Sequence, residues 1–159
     1  MINFYCNEDL KNTLGIMRIE KYGPAYEGES AGLDLYNCGD NIILKPVQDF
    51  EYSDRVLIKT GLHIIVPEGY VALIQERGSI TKSPLKVRAG VIDHGYTGEI
   101  FVNAVNVSKK EFLIERHQKL PFQIVVVKCD NHFNEIDEVE YLNLTKSSAR
   151  KDGKVGSSD

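Results

Sequence analysis

The feature that most constrains the fold is a series of short, β-branched apolar runs, each closed by glycine or proline. Residues 55–75, "RVLIKTGLHIIVPEGYVALIQ", hold three such runs, separated by Gly61 and by the turn sequence Pro67-Glu68-Gly69. Runs of this length with turn residues between them predict strand, break, strand, turn and strand. The pattern recurs along the chain and predicts about ten short strands, and hence an all-β sandwich, jelly roll or barrel.

Five further segments extend the strand pattern. Residues 85–93, 99–107 and 122–128 are rich in β-branched residues, and residues 32–37 and 40–46 are weaker candidates. Between two of these strands, residues 90–99, "GVIDHGYTGE", are the expected tip of a hairpin, because their glycines permit a sharp turn. Helix signals are sparse. "NEDLKN", residues 7–12, predicts a turn, and "SITKS", residues 79–83, predicts a short helix that Ser79 caps.

The composition predicts one domain with a tail. A chain of 159 residues is long enough to bury a core without disulfides or metals. The composition changes near residue 145, so we expect a β-barrel domain over residues 1–144 and a flexible segment over residues 145–159. That segment, "TKSSARKDGKVGSSD", fits either a disordered tail or a mobile lid that orders over a phosphate chain.

Charge and cysteine content argue against several classes of function. The formal net charge of −4, with both signs mixed, speaks against a large basic surface for nucleic acid or anionic membrane. No apolar run reaches the roughly 18 residues of a membrane span, and the first residues lack a secretory signal pattern. The three cysteines form no C-x-x-C pair, which favours reduced thiols and a cytoplasmic protein.

Two short segments offer candidate polar chemistry, and each also fits a structural role. In "QERGSI", residues 75–80, Arg77 supplies a fork of donors for phosphate and Gly78 allows close backbone approach. Ser79 fits either an anion site at a helix start or an ordinary helix cap. In "AGLDLY", residues 31–36, Asp34 points away from the flanking leucines, which suits a hydrogen-bonded strand aspartate or a group near a hydrated magnesium ion.

The segment "GVIDHGYTGE" is the most informative. Asp93 follows a strand, and Tyr96 lies in the same glycine-rich turn. A carboxylate beside an aromatic plate suits general-base activation of water next to a bound nucleoside. The same residues also fit a hairpin turn in which Asp93 caps backbone N–H groups and Tyr96 packs. His94 has no carboxylate or nucleophile at a telling spacing, so we expect it to be a surface turn residue.

In this order, five segments resemble the five motifs of the trimeric dUTPase family. From first to fifth they are "AGLDLY", "ERGSI", "AGVIDHGYTGEI" with Asn106, "QKLPFQIVV" and "RKDGKVGSSD". The resemblance spans roughly residues 15 to 159. It implies an all-β, distorted jelly-roll barrel of the β-clip type with a flexible C-terminal tail, and a homotrimer with shared active sites. The implied reaction converts dUTP and water to dUMP and pyrophosphate, with magnesium (Mg2+) as cofactor.

The resemblance also implies roles for individual residues. Asp93 activates the water that attacks the α-phosphorus, and Tyr96 packs on the deoxyribose. Asp34 supports the metal indirectly, through water, and Arg150 reaches the γ-phosphate as the tail closes. The other substrate-binding residues implied by the motifs are Arg77, Gly78, Ser79, Gly90, Val91, Ile92, Gln123, Val155, Gly156 and Ser157.

The chain departs from the family pattern at several motif positions. Gly78 and Ser79 stand in the reverse of the usual order, and Phe122 occupies the usual glutamine position, with Gln123 beside it. Val155 replaces the aromatic residue that covers the uracil ring, which predicts a weaker lid because valine cannot stack well. These departures favour a phage or viral member, which would act in the host cytoplasm.

Two alternatives share the implied fold. The dCTP deaminase family carries a catalytic glutamate three residues before the last asparagine of the third motif, and here that position is Asn103, which disfavours deamination. The second alternative is a catalytically weak member that binds a regulatory protein partner. Retention of Asp93, Tyr96 and Arg77 favours the enzyme over this binder.

Overall fold

The computed structural model describes residues 2–47, 55–129 and 133–146 of the chain. Within them the fold is mainly β, with eleven strands, two short α-helices and one 3-10 helix. The strands are β1 Asn3–Cys6, β2 Gly32–Tyr36, β3 Ile42–Leu44, β4 Arg55–Lys59, β5 Leu62–Ile65, β6 Tyr70–Glu76, β7 Leu85–Val87, β8 Val91–Ile92, β9 Phe101–Asn106, β10 Phe112–Ile114 and β11 Lys119–Lys128. The helices are α1 Glu8–Ile16, α2 Glu138–Thr145 and the 3-10 helix Gly78–Lys82.

The strands form four small antiparallel sheets around one core. The largest has the order β2-β11-β6-β8, and a second has the order β4-β9-β7. Two strand pairs, β1 with β5 and β3 with β10, complete the arrangement. The all-β prediction is therefore confirmed. Neither helix of the described residues is long and apolar enough to cross a membrane.

The ten-residue strand β11 lies at the centre of the largest sheet. It pairs with β2 on one side and with β6 on the other. Leu120, Phe122 and Ile124 alternate toward the core and are almost fully buried. Gln123, between Phe122 and Ile124, is only partly buried and lies on the opposite face of the sheet from Phe122.

Sequence patterns predicted most strands correctly but failed at the helices. The predicted turn at residues 7–12 is part of α1, which Asn7 caps by accepting a hydrogen bond from the Leu10 amide. Leu10 and Leu14 of this helix are buried against the barrel, so tertiary packing stabilises a segment too short to show a clear helical period. The helix α2 was not predicted, because its residues have no clear apolar face and none of them is buried.

Two local predictions were wrong in detail. The predicted short helix exists, but Arg77 rather than Ser79 occupies its N-cap position, and Ser79 lies inside the first turn. Residues 90–99 are not a hairpin tip. Strand β8 pairs with β6, whereas β9 pairs with β4 and β7, so residues 93–100 cross from one sheet to another.

Gly61 is the point where helix α1 meets the barrel. Its φ of +63° is a left-handed conformation that favours glycine. A Cβ at this position would lie 2.7 Å from Leu10 Cβ and 2.9 Å from the Leu10 amide nitrogen. The Gly61 carbonyl also accepts a hydrogen bond from the Asn7 amide at 2.9 Å. The absence of a side chain at Gly61 thus permits the start of α1 to dock.

We predict that Gly61→Ala destabilises the fold far more than Gly69→Ala. Both glycines have a positive φ, but the space around Gly69 is open. Gly69→Ala should cost about 1–2 kcal/mol of unfolding free energy, from backbone strain alone. Gly61→Ala should cost about 1–3 kcal/mol more, from overpacking against α1. Denaturant unfolding of the two variants measures the difference, and equal losses would contradict the proposed docking contact.

Candidate active site

The candidate catalytic turn, residues 93–99, follows the edge strand β8. Asp93 is exposed and lines a cleft of about 210 Å³ together with Val91, Ile92, Tyr96 and residues of the following strand. A wider cleft of about 730 Å³ is also lined by Asp93 and Val91. The carboxylate therefore borders two open spaces and is accessible to a ligand and to water.

Strand β8 presents free backbone groups beside Asp93. The Ile74 amide donates a hydrogen bond to the Gly90 carbonyl at 2.8 Å, and Val91 lies opposite Leu73 in the same register. In an antiparallel ladder, hydrogen-bonded pairs alternate with pairs that are not bonded. The N–H and C=O of Val91 therefore point away from β6, and the Val91 side chain is 69% exposed. This edge can bind a planar group as another strand would.

Tyr96 is held within the turn by two hydrogen bonds. Its amide donates to the Asp93 carbonyl at 3.0 Å, and its hydroxyl donates to the Glu99 carbonyl at 2.7 Å. Gly98 provides the space for the ring, since a Cβ there would lie 2.7 Å from Tyr96 Oη and 2.8 Å from Cζ. The aromatic plate is thus fixed next to Asp93, as the sequence predicted.

The turn is anchored on the bend between β4 and β5. The Gly61 amide donates to the Glu99 carboxylate at 2.9 Å, and the Ile100 amide donates to the Leu62 carbonyl at 2.8 Å. His63 Nδ1 lies 3.3 Å from the Thr97 carbonyl and can donate to it. Sequence reasoning missed these anchors, because Gly61 read only as a break and residues 62 and 63 only as the start of the next strand. His94 is exposed, as expected.

A second group of polar residues lies elsewhere on the largest sheet. We call Asp34, Arg77 and Lys119 the Asp34 cluster. The Asp34 Oδ1 atom lies 2.5 Å from Arg77 Nε, and Oδ2 lies 2.5 Å from Lys119 Nζ. Asp34 is only 7% exposed, so its charge is compensated within the protein rather than by water. Sequence reasoning singled out Asp34 and Arg77 but assigned no role to Lys119, although it lies in the segment that resembles the fourth motif.

The other predicted phosphate-side residues surround this cluster. Gly78 and Ser79 are exposed at the start of the 3-10 helix that follows Arg77. Gln123 lies directly opposite Asp34 in the sheet, against the Gly32 backbone, and its Nε2 lies 3.4 Å from the Glu76 carbonyl. Phe122 is fully buried. Strand alternation thus makes Gln123, and not Phe122, the residue on the face of Asp34.

Metal ligation by protein side chains alone is not visible in the described part of the chain. It holds no group of three or more His, Cys, Asp or Glu residues that could bind a metal ion. Each Asp34 oxygen has a cationic partner, but a carboxylate oxygen has two lone pairs and can still accept a hydrogen bond from a metal-bound water. The indirect metal role of Asp34 stays a prediction. Arg150, Val155, Gly156 and Ser157 lie outside the described residues.

The catalytic turn and the Asp34 cluster lie at opposite ends of β6. Ile92 pairs with Ala72, so the next residue, Asp93, lies level with Val71 of β6. Val71 is six residues from Arg77. At about 3.3 Å per residue, the two positions are roughly 20 Å apart along the strand. Within one chain they are separate sites.

Comparison with known proteins identifies the family. The dUTPase family profile matches residues 21–159. A deoxyuridine 5'-triphosphate nucleotidohydrolase of Hydrogenobaculum sp. is 34% identical over 131 residues, covering 80% of this chain and 83% of the relative. One of Dictyoglomus turgidum is 39% identical with the same coverage. The chain belongs to the dUTPase family.

Solved structures confirm the fold. The dUTPase of Staphylococcus bacteriophage 80alpha, determined with dUpNHpp, superimposes with a TM-score of 0.73 at 19% identity, covering 99% of this chain and 98% of that chain. The dUTPase of phage phi11 of S. aureus gives a TM-score of 0.67 at 20% identity, covering 87% and 96% of the two chains. The distorted jelly-roll barrel expected from the resemblance is therefore confirmed.

We predict that Gly98→Ala displaces the Tyr96 ring, whereas Gly95→Ala does not. Both glycines lie in the same turn, but no atom lies within 4 Å of a Cβ built at Gly95. The new methyl group at residue 98 would overlap the ring and break its hydrogen bond to the Glu99 carbonyl. Crystal structures of the two variants measure the ring position, and an unmoved Tyr96 in Gly98→Ala would contradict the packing argument.

Proposed function

We propose that this protein hydrolyses dUTP to dUMP and pyrophosphate. The observation that carries the proposal is the exposed Asp93 carboxylate at the end of an edge strand, next to free backbone groups and a fixed tyrosine. Membership of the dUTPase family supports the same substrate, since the curated relatives are named deoxyuridine 5'-triphosphate nucleotidohydrolases. We place the protein in the cytoplasm.

The edge of β8 is suited to recognition of uracil. Uracil presents a carbonyl acceptor next to an N–H donor, and the Val91 backbone presents an N–H next to a C=O. The base can pair with this edge as a neighbouring strand does. Cytosine presents the opposite arrangement at these two atoms, an amino donor next to a ring acceptor, so its hydrogen bonds would be mismatched. Gly90, Val91 and Ile92 thus read the base without a specialised side chain.

Tyr96 and Asp93 act on the sugar and the α-phosphate. The Tyr96 ring packs against deoxyribose and leaves no room for a 2′-hydroxyl group. Asp93 accepts a proton from a water molecule whose oxygen attacks the α-phosphorus. The bond between the α-phosphorus and its bridging oxygen breaks, and pyrophosphate leaves with the bond electrons. In the described residues no serine or cysteine is paired with a base as a nucleophile, which agrees with direct attack by water.

The phosphate chain binds at the Asp34 cluster. Arg77 donates hydrogen bonds to phosphate oxygens, Gly78 and Ser79 approach them through the backbone and the hydroxyl, and Gln123 lies beside them. A magnesium ion on the phosphate chain of dUTP would offset the charge on the leaving pyrophosphate. Asp34 would support that ion indirectly, through water. A structure of a phage phi11 dUTPase mutant is described as showing a structural Mg(II) ion, which supports a role for this metal in the family.

The separation of the two sites supports a homotrimer with shared active sites. Asp93 and Arg77 lie about 20 Å apart along β6, six residues at the rise of an antiparallel strand. A triphosphate bound close to Arg77 of one copy then meets Asp93 of another. The C-terminal tail, with Arg150 at the γ-phosphate and Val155, Gly156 and Ser157 over the nucleotide, completes the site. Closed symmetric assembly is the usual outcome for such complementary surfaces.

A second candidate function, binding of a regulatory protein partner, is favoured by one feature. Helix α2 exposes several apolar side chains, of which Val139 is 68% and Leu144 66% exposed. These side chains do not form one face of the helix, but several large apolar groups exposed within eight residues are typical of a protein contact. This function does not need the Asp93 carboxylate, so the nucleotide assay below separates the two.

We predict that the wild-type protein releases pyrophosphate from dUTP with magnesium, and not from dTTP, dCTP or UTP. Asp93→Asn should lower kcat by at least about 100-fold, since it removes the general base while preserving shape. His94→Gln changes the neighbouring exposed residue and should leave the rate unaltered. Parallel pyrophosphate-release assays measure all three proteins. Absence of release from every nucleotide would overturn the hydrolase proposal and favour the binder.

We predict that mixing two inactive variants restores activity. Asp93→Asn and Arg77→Gln each lack one half of the shared site, but mixed trimers place an intact Asp93 opposite an intact Arg77. In randomly mixed trimers, one shared site in four combines an intact Arg77 from one subunit with an intact Asp93 from its neighbour. We therefore expect about a quarter of the wild-type activity. The proteins are unfolded, mixed and refolded, and native mass spectrometry verifies mixed trimers. Mixed trimers without activity would show that both residues act within one copy.

A further inference from the structure

Lys119 reaches the buried Asp34 carboxylate because strand β11 is irregular at this point. In the pairing with β2, Lys119 lies opposite Tyr36 and Gln123 lies opposite Asp34, so four steps along β11 match only two along β2. Pro121 lies in this stretch and has no N–H to donate to the ladder, which favours such a bulge. The extra residues bring the Lys119 ammonium to Asp34 Oδ2, although Gln123 already occupies the directly opposite position.

The same bulge fixes the backbone of Arg77. The Arg77 amide donates a hydrogen bond to the Pro121 carbonyl at 2.9 Å. The side chain is then held by Asp34, whose Oδ1 lies 2.5 Å from Nε. A guanidinium has five N–H donors, so donors at its terminal nitrogens can also serve a ligand. The contact at Nε sets the plane of the guanidinium, and therefore the direction in which those donors point.

The charges of the cluster favour an anion. Two cations face one carboxylate, which leaves one net positive charge at a site where Asp34 and Arg77 are mostly buried. Glu76 lies next to Arg77 in the chain, but Lys86 pairs with it at 3.0 Å and compensates its charge. Without Lys119, the Asp34–Arg77 pair would be neutral and would attract a phosphate chain more weakly.

We propose that Lys119 is a positioning residue for phosphate binding. It holds Asp34, which orients the Arg77 guanidinium, and its charge keeps the cluster positive. The inference rests on the proposed function, because it assigns the phosphate chain of dUTP to this cluster. A purely structural role of Lys119 would weaken the binding of every ligand when the residue is replaced. A positioning role predicts that the loss of affinity is confined to ligands that occupy the phosphate site.

The test compares Lys119→Met, Lys119→Arg and Lys11→Met. Lys11→Met removes the same charge from an exposed ion pair with Glu8 on helix α1, which does not contact Asp34. The affinity of pyrophosphate is measured by calorimetry with magnesium, which requires no turnover, and the affinity of dUMP is measured in the same way. KM and kcat for dUTP and the melting temperature of each variant are also recorded.

We expect Lys119→Met to weaken pyrophosphate binding and raise KM for dUTP by roughly tenfold, the size of one charge-assisted hydrogen bond. Binding of dUMP, which lacks the β- and γ-phosphates, should change less than threefold, a span of about 0.7 kcal/mol. Lys119→Arg should retain most of the affinity, and Lys11→Met should resemble the wild type.

Three results would overturn the proposal. They are unchanged pyrophosphate affinity in Lys119→Met, an equal loss of affinity for dUMP and pyrophosphate together with a lower melting temperature, or failure of Lys119→Arg to retain binding. Failure of the proposed function would look different, since the wild-type protein itself would then release no pyrophosphate from dUTP.

Discussion

A buried carboxylate has to be compensated, and this requirement at Asp34 organises one end of the largest sheet. An isolated charge with this degree of burial would cost several kcal/mol, so Asp34 is tolerable only if cations approach both of its oxygens. One cation comes from the end of β6 and the other from the start of β11. The carboxylate on β2 therefore ties three neighbouring strands together by charge as well as by backbone hydrogen bonds.

The other end of the same sheet has the opposite character. Strand β8 is only two residues long and lies at the sheet edge, where its outward backbone groups face no strand of the described chain. Such an edge is normally a hazard for aggregation, but it is also the natural place for a planar, hydrogen-bonding ligand. The catalytic turn that follows is short and is anchored at Gly61 and Leu62, so Asp93 is held by the barrel although it is exposed.

Strand alternation and turn glycines are local properties, so the sequence predicted the β-rich fold. The resemblance of the motifs singled out Asp34, Arg77, Asp93 and Tyr96 as candidate site residues. Strand partners were not predictable: residues 85–93 read as one strand, but they divide into β7 and β8, which join different sheets. The local sequence does not predict that the Gly90 carbonyl accepts a hydrogen bond from the Ile74 amide. Helix α1 was missed for the same reason, since its stability comes from burial of Leu10 and Leu14.

Lys119 shows that a residue can lie in a motif segment and still make a contact that the motif does not reveal. The partner of Gln123 on β2 is Asp34. In a regular ladder, Lys119 would lie opposite a β2 residue four positions from Asp34. Proline at position 121 removes one ladder donor, the register shifts, and a lysine that looks peripheral in sequence contacts the central carboxylate. The charge balance of the phosphate-side site thus depends on a backbone irregularity. Replacement of Pro121 would alter that balance without changing a single charged residue.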